Sequence, residues 1–136
     1  MLRLPKSLRD RLEAVVASGY PLETCGLLIG RATDDSVLVV RVVQARNLNS
    51  ARAADRYELD PQDLLAADHS ARADRLDIIG VWHSHPDHPA RPSETDRAAA
   101  WEGWSYLIAS VTRAGVADLR CWRLAGERFL EEPLQP

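Results

Sequence analysis

Residues 77 to 96 read Asp-Ile-Ile-Gly-Val-Trp-His-Ser-His-Pro-Asp-His-Pro-Ala-Arg-Pro-Ser-Glu-Thr-Asp. The apolar run at the start of this stretch predicts a buried strand, and His83 and His85 stand where that strand should end. Side chains at positions i and i+2 of a strand point to the same face, so both imidazoles are placed to converge on one ion. The segment from Ser93 to Asp96 has the pattern of a helix start that turns back toward the strand end.

Each of these features has a simpler explanation when it is taken alone. A serine followed three residues later by an acidic side chain caps a helix without any metal, and an isolated His-x-His is often a pair of solvated loop histidines. Together they indicate a metal site, because a catalytic zinc ion usually takes three protein ligands and keeps a fourth position for water. His83, His85 and Asp96 are the candidate ligands.

The spacing resembles that of the JAMM (MPN-plus) metallopeptidases. Their pattern is a distant glutamate, then His-x-His, seven residues, a serine, two residues and an aspartate; here Ser93 follows His85 after seven residues, and Asp96 follows Ser93 after two. Glu23 matches the distant glutamate, because it lies just before the apolar segment 25–30. Without the resemblance, this glutamate would be interpreted as a solvated carboxylate at a helix-to-strand turn.

The resemblance implies a set of catalytic roles. One Zn²⁺ ion per chain would be held by His83, His85 and Asp96 and would lower the pKa of a bound water toward about 7. Glu23 would accept a proton from that water and deliver it to the leaving amine. Ser93 would donate a hydrogen bond to the oxyanion, with helix capping as its alternative role. Two imidazoles and a carboxylate could also hold iron or manganese.

A substrate class is implied in the same way. JAMM enzymes cut after the C-terminal Gly-Gly of ubiquitin or a ubiquitin-like protein, and the chain resembles the compact, stand-alone bacterial members, which are associated with ubiquitin-like sulfur carriers. We therefore expect an enzyme, a zinc metallopeptidase or isopeptidase, that processes a small carrier protein with a Gly-Gly tail. Whether a peptide, a cysteine or a lysine conjugate leaves is open at this point.

Two other classes of function are considered. A non-catalytic MPN-type scaffold would share the fold but typically lacks one or more ligands, and this chain retains His83, His85, Asp96 and Glu23. A zinc deaminase needs His-x-Glu and Pro-Cys-x-x-Cys, and neither motif occurs in the sequence.

Length and composition predict one domain over residues 1–136, since 136 residues with 46% hydrophobic content suffice for a single core. The net charge of −3 and the absence of a basic block argue against a nucleic-acid partner. No signal-peptide or membrane-spanning pattern is present, so we expect a cytoplasmic protein without a membrane partner. Cys25 and Cys121 are interpreted as buried free thiols, with a disulfide left open. Edge strands in so small a domain leave room for a homodimer.

The hydrophobic pattern predicts an α/β or α+β domain with a single mixed β-sheet flanked by about three helices, a layout related to that of the zinc deaminases and typical of the JAMM fold. Helices are expected over 5–18, 61–75 and 93–102, and strands over 25–29, 37–45, 57–59, 78–82, 106–111, 118–124 and 128–130. The second helix should bury Leu64, Leu65 and Ala71. Trp82, Trp101 and Trp104 are interpreted as core residues, with an apolar wall beside the site as the alternative, and His88 as a loop residue that is not a ligand.

Overall fold

The computed structural model describes all residues from 1 to 136. The helices and strands are β1 (Leu2–Arg3), α1 (Lys6–Gly19), β2 (Cys25–Ala32), β3 (Val37–Ala45), α2 (Pro61–Ala73), β4 (Asp77–Pro86), α3 (Glu94–Ala99), β5 (Ser105–Thr112), β6 (Gly115–Ala125), β7 (Arg128–Glu132) and β8 (Leu134–Gln135). All eight strands form one sheet in the order β7-β6-β5-β4-β2-β3-β1-β8. The β4–β5, β1–β3 and β1–β8 pairs are parallel, and the other pairs are antiparallel. The predicted fold class, one mixed sheet with three helices, is confirmed.

The two edges of this sheet lie close together in space. Strand β7 pairs with β6 at one edge, whereas β8 pairs with β1 at the other, and only Pro133 separates β7 from β8 in the chain. A sheet of eight strands can satisfy this connection only if it curls strongly. The sequence pattern did not predict β1 or β8, because two-residue strands carry no periodicity.

Helix α1 packs on one face of the curled sheet. Its Leu12 and Val16, one turn apart, are fully buried. They belong to a cluster that draws residues from six strands, including Leu28, Trp82 and Leu107. Trp82 is therefore a core residue, as expected.

Helix α2 covers the opposite face of the sheet through small side chains. Ala67 and Ala71, one turn apart, pack with a cluster that includes Leu27 and Val81. The prediction that Leu65 is buried was wrong: its side chain is 71% exposed. Leu65 lies about 120–160° around the helix from Ala71 and Ala67, so it points away from the sheet.

Several element boundaries differ from the predicted ones. Strand β4 continues four residues past Trp82: His83 pairs with β2 on one side and β5 on the other, and the next three residues pair with β5. Helix α3 ends at Ala99, and the expected strand 57–59 is only an isolated bridge between Asn47 and Leu59. Trp101 is 70% exposed, so its assignment to the core was wrong.

The two cysteines are both free and buried. Cys25 lies on β2 and Cys121 on β6, three strands apart in the sheet. Neighbouring strands are about 4.8 Å apart, so three such steps separate the two Cα atoms by more than the roughly 7 Å that a disulfide allows. Burial also raises the pKa of the Cys25 thiol to about 12. The alternative of a Cys25–Cys121 disulfide is therefore excluded.

No helix of the structure is long and apolar enough to span a bilayer. The strands at the two edges of the sheet contain five and two residues. Such short edges offer little backbone for pairing with a second copy, so the expectation of a homodimer finds no support here.

Replacing Gly26 by alanine should destabilise the sheet next to the site. A Cβ atom at this position would collide with the main-chain oxygen of Val43 and with the indole of Trp82, whose Nε1 donates to that oxygen at 3.1 Å. We expect a loss of about 1–3 kcal/mol in unfolding free energy, measured by denaturant titration. Arg31→Ala, at the exposed end of the same strand, should change it by less than about 0.5 kcal/mol, and equal effects would contradict this explanation.

Candidate metal centre and catalytic cleft

The end of strand β4 brings two imidazoles and a carboxylate together. His83 and His85 lie on the same face of the strand, and their Nε2 atoms are 3.1 Å apart. The Oδ2 atom of Asp96, from the first turn of α3, lies 3.1 Å from Nε2 of His85 and 3.4 Å from Nε2 of His83. Three potential ligand atoms thus form a nearly equilateral triangle.

This triangle has the dimensions of a tetrahedral metal site. Zinc bonds to nitrogen and oxygen ligands are about 2.0–2.2 Å long, and tetrahedral geometry then separates neighbouring ligands by about 3.3–3.5 Å. The observed separations of 3.1–3.4 Å are close to this range. Two neutral imidazoles and one carboxylate also match the donor set of catalytic zinc sites with an open fourth position. The side chains present therefore fit the ion.

A capping box orients Asp96. The backbone N–H of Ser93 donates to Asp96 Oδ2 at 2.8 Å, and the backbone N–H of Asp96 donates to Ser93 Oγ at 3.0 Å. Although burial opposes it, hydrogen bonding with His83 and His85 holds the pKa of Asp96 well below its usual range. The Ser-x-x-Asp spacing thus aims an ionised carboxylate at the two histidines.

The loop between β4 and α3 is held by hydrogen bonds at four successive residues. The carboxylate of Asp87 accepts from the Tyr20 hydroxyl at 2.8 Å, and the carbonyls of His88 and Ala90 accept from Ser110 and Trp122. The carbonyl of Pro89 lies 2.8 Å from His85 Nδ1, an arrangement in which Nδ1–H donates and Nε2 stays free for a metal. Pro86, Pro89 and Pro92 also restrict the backbone of this loop. The side chain of His88 is exposed, and His88 is not part of the histidine–carboxylate cluster.

Strand pairing places Glu23 beside this cluster. Cys25 pairs with His83, and the N–H of Ser84 donates to the carbonyl of Thr24 at 3.0 Å, so Glu23 comes next to His85. Its carboxylate lies within 4.8 Å of the ligand atoms of both histidines. Only 6% of Glu23 is exposed, and burial raises its pKa to about 7, with His85 opposing the shift and Asp96 adding to it.

A cavity of about 910 Å³ opens in front of these groups. Glu23, His85, Ser93 and Asp96 line one end, and its wall continues over apolar and aromatic side chains that include Leu59, Leu64, Trp101, Trp104 and Tyr106. Trp101 and Trp104 therefore line the cleft. A second depression of about 640 Å³ adjoins this cavity, and Ala54, Asp55, Pro86 and His88 line both.

The structure brings Glu23, His83, His85, Ser93 and Asp96 together. Sequence reasoning missed Tyr57, whose ring stacks on His83 with the ring centroids 4.5 Å apart. It also missed the contacts of Tyr20 and Trp122 with the loop. No local pattern could have revealed them, because each partner lies more than 20 residues away in the chain.

Comparison with known proteins agrees with this architecture. The sequence profile described as prokaryotic homologs of the JAB domain matches residues 5–125. A desampylase of Haloferax volcanii is 35% identical over 114 residues, which cover 80% of each chain. A CysO-cysteine peptidase of Mycobacterium tuberculosis is 29% identical over 133 residues, covering 92% of this chain and 86% of that protein. The solution structure of protein DSY2949 from Desulfitobacterium hafniense superposes with a TM-score of 0.86 at 31% identity, covering 98% of this chain and 91% of that one.

Fold, cleft and relatives together define a hydrolase of the JAMM peptidase class. More narrowly, the chain belongs to the prokaryotic JAB family.

Proposed function

We propose that this protein is a zinc-dependent peptidase or isopeptidase that cleaves after the C-terminal Gly-Gly of a ubiquitin-like, sulfur-carrier-type protein. The proposal rests on one observation above all: a buried glutamate stands beside a ligand triangle of zinc dimensions at the end of a large cleft. The related CysO-cysteine peptidase, by its name, splits a bond between a protein and a cysteine. We further propose that residues 1–136 act as one domain.

His83, His85 and Asp96 would hold the zinc ion, one per chain. The Glu23 carboxylate also lies near the ring nitrogens of both histidines, at separations of up to 4.8 Å. Asp96 Oδ2 is nearer, at 3.1 and 3.4 Å from the two Nε2 atoms. The shorter separations favour Asp96 as the ligand and leave Glu23 free for proton transfer. When bound, zinc supplies Lewis acidity and a water of lowered pKa.

Glu23 would carry protons during hydrolysis. Its pKa of about 7 means that both the carboxylate and the carboxylic acid are well populated at neutral pH. Such a group can accept a proton from the attacking water and later give it to the leaving nitrogen. The backbone of Glu23 is held in place, because its N–H donates to the carbonyl of Ala53 at 2.6 Å. The main chain that carries the carboxylate is therefore fixed beside the histidines before substrate arrives.

Ser93 would donate to the oxyanion as well as cap the helix. Its Oγ accepts the hydrogen bond from the backbone N–H of Asp96, which leaves the hydroxyl proton of Ser93 available for donation. The side chain lines the same cavity as Glu23. Preorganised donors of this kind stabilise the negative charge that develops on the carbonyl oxygen.

Ser93→Ala should lower kcat by about 10²–10³-fold while metal content stays at the wild-type level. The metal content should persist because the contact between residue 93 and the ligand Asp96 comes from a backbone N–H, which the substitution keeps. Loss of the helix cap should also lower the free energy of unfolding by roughly 0.5–2 kcal/mol. Steady-state kinetics and metal analysis test this, with Ser93→Thr as the control that retains the hydroxyl. An alanine variant at near wild-type kcat would reduce Ser93 to a helix cap.

The cleft suits an extended chain that passes the metal. The larger cavity offers apolar side chains beside the candidate site, and the second depression adjoins it. A carrier tail would occupy the first and the leaving group the second. Glycine at the scissile bond would let the backbone approach the buried carboxylate and ligands closely.

The decisive experiment combines metal analysis with a cleavage assay. We expect about one zinc per chain, and cleavage of a β-grasp carrier extended beyond its Gly-Gly by a short peptide, by cysteine or by an isopeptide-linked lysine. Chelation should abolish cleavage and added zinc should restore it; a carrier with Ala-Ala in place of Gly-Gly serves as the control substrate. A protein that neither contains nor takes up metal would contradict the proposal and point to a scaffold.

A further inference from the structure

The two candidate ligand histidines differ in how their second ring nitrogen is held. In His85, Nδ1 lies 2.8 Å from the carbonyl of Pro89, which accepts a hydrogen bond from the Nδ1–H group. In His83, Nδ1 is buried and has no hydrogen-bond partner. A histidine that binds a metal usually donates its other N–H to an acceptor, and this bond fixes the ring orientation. Something other than a hydrogen bond must therefore hold the His83 ring.

Tyr57 is the side chain that contacts the face of His83. Its ring stacks on the imidazole with centroids 4.5 Å apart and an angle of 24° between the planes. His85 packs against His83 at a tilted 55°, with centroids 4.9 Å apart. The hydroxyl of Tyr57 makes no hydrogen bond, whereas the hydroxyl of Tyr106, which lines the same cavity, accepts a hydrogen bond from the N–H of Trp101 at 2.6 Å. Stacking on the His83 ring is thus the specific interaction of the Tyr57 side chain.

Asn47 fixes the position of Tyr57 from both sides. Its Nδ2 donates to the carbonyl of Arg56 at 3.0 Å, and its Oδ1 accepts from the N–H of Glu58 at 2.9 Å. These two residues flank Tyr57 directly. The same Nδ2 also lies 3.4 Å from the carbonyl of Glu23. One amide therefore ties the backbone around Tyr57 to the backbone of Glu23.

We propose that Tyr57 is a positioning residue for His83: its stacked ring fixes the orientation of the His83 imidazole, as the hydrogen bond to the Pro89 carbonyl fixes that of His85. Rotation of the buried imidazole would move Nε2 out of the ligand triangle, and the Tyr57 ring blocks that rotation. This inference rests on the proposed function, because it assumes that His83 binds a metal. It assigns a role to a residue outside the motif that defines the family pattern.

Tyr57→Leu should lower zinc affinity by about 10–100-fold, the range typical for loss of a group that orients a metal ligand. Tyr57→Phe keeps the ring and should bind zinc as wild type does. Trp101→Leu is the matched control, since Trp101 lines the same cavity but stacks on neither histidine. Competition with a chromophoric chelator measures affinity, and the visible spectrum of the Co²⁺-substituted protein reports on coordination. The unfolding midpoint of each metal-free variant is recorded in parallel.

The outcomes separate this inference from the proposed function. If the wild type binds no zinc, the proposed metal site itself fails. If the wild type binds zinc and Tyr57→Leu binds it equally well, with an unchanged Co²⁺ spectrum, the positioning role is overturned. An equal loss in Tyr57→Phe would also overturn the stacking account, since the hydroxyl would then matter. Should Tyr57→Leu fail to fold, Tyr57→Met, which keeps most of the volume without a planar ring, takes its place with the same expected loss.

Discussion

Replacing Glu23 by glutamine is expected to lower kcat by about 10²–10⁴-fold without removing the metal, the range that a positioned acid–base group contributes. Glutamine has nearly the same shape but cannot take up or release a proton near neutral pH. The wild-type carboxyl is suited to that task because burial raises its pKa to about 7. Steady-state kinetics on a Gly-Gly-linked substrate and metal analysis of the same samples test the prediction.

Glu58→Gln provides the matched control for Glu23→Gln. Glu58 also lines the cleft, but its side chain is exposed, so this variant should retain near wild-type turnover. Two results would contradict the assignment. A Glu23→Gln enzyme with near wild-type kcat would remove Glu23 from the mechanism. Loss of metal together with activity would instead make Glu23 a ligand.

Replacing His85 by alanine should abolish both metal binding and activity. The imidazole contributes one of the three atoms of the ligand triangle, and its Nε2 lies 3.1 Å from each of the other two. Removing a direct ligand should weaken zinc binding by more than about 100-fold, the upper range for removing a group that only supports a ligand. Zinc affinity and the cleavage rate are the measurements.

His88→Ala is the control that the loop itself offers. His88 lies three residues after His85, and its exposed side chain is not part of the ligand cluster. This variant should keep its metal, so the comparison tests position rather than residue type. Full zinc retention by His85→Ala, or metal loss by His88→Ala, would contradict the proposed ligand set.

The fold class and most helices and strands were predictable because local patterns of apolar residues indicate them. Apolar residues at helical spacing predicted α1 and its buried face, and the continuous apolar run of β3 predicted its bounds, 37–45, in full. Prediction was poorer where burial depends on a distant partner. The polar residues after Trp82 do not resemble a strand, yet His83 and Ser84 are buried because β5 pairs with both of them on one side. On the other side, His83 pairs with β2 and the Ser84 N–H donates to the carbonyl of Thr24.

Two exposed side chains, one aliphatic and one aromatic, show the same limit of prediction from local sequence. Leu65 and Trp101 were expected inside on hydrophobicity alone, and both are mostly exposed. An amphipathic pattern indicates which residues can be buried, but the surface that covers them lies elsewhere in the chain. Trp101 instead lines the cleft in front of the candidate site.

The sequence by itself determined the candidate ligands and the local geometry that aims them. Alternation along a strand puts His83 and His85 on one face, and the capping spacing of Ser93 and Asp96 turns a carboxylate inward. Only the tertiary structure decided how Glu23 reaches them, across 60 residues, through the pairing of β2 with β4. It also decided that Tyr57 stacks on His83. Local periodicity is a property of neighbouring residues, whereas strand register and ring packing depend on which distant segments meet in the folded core.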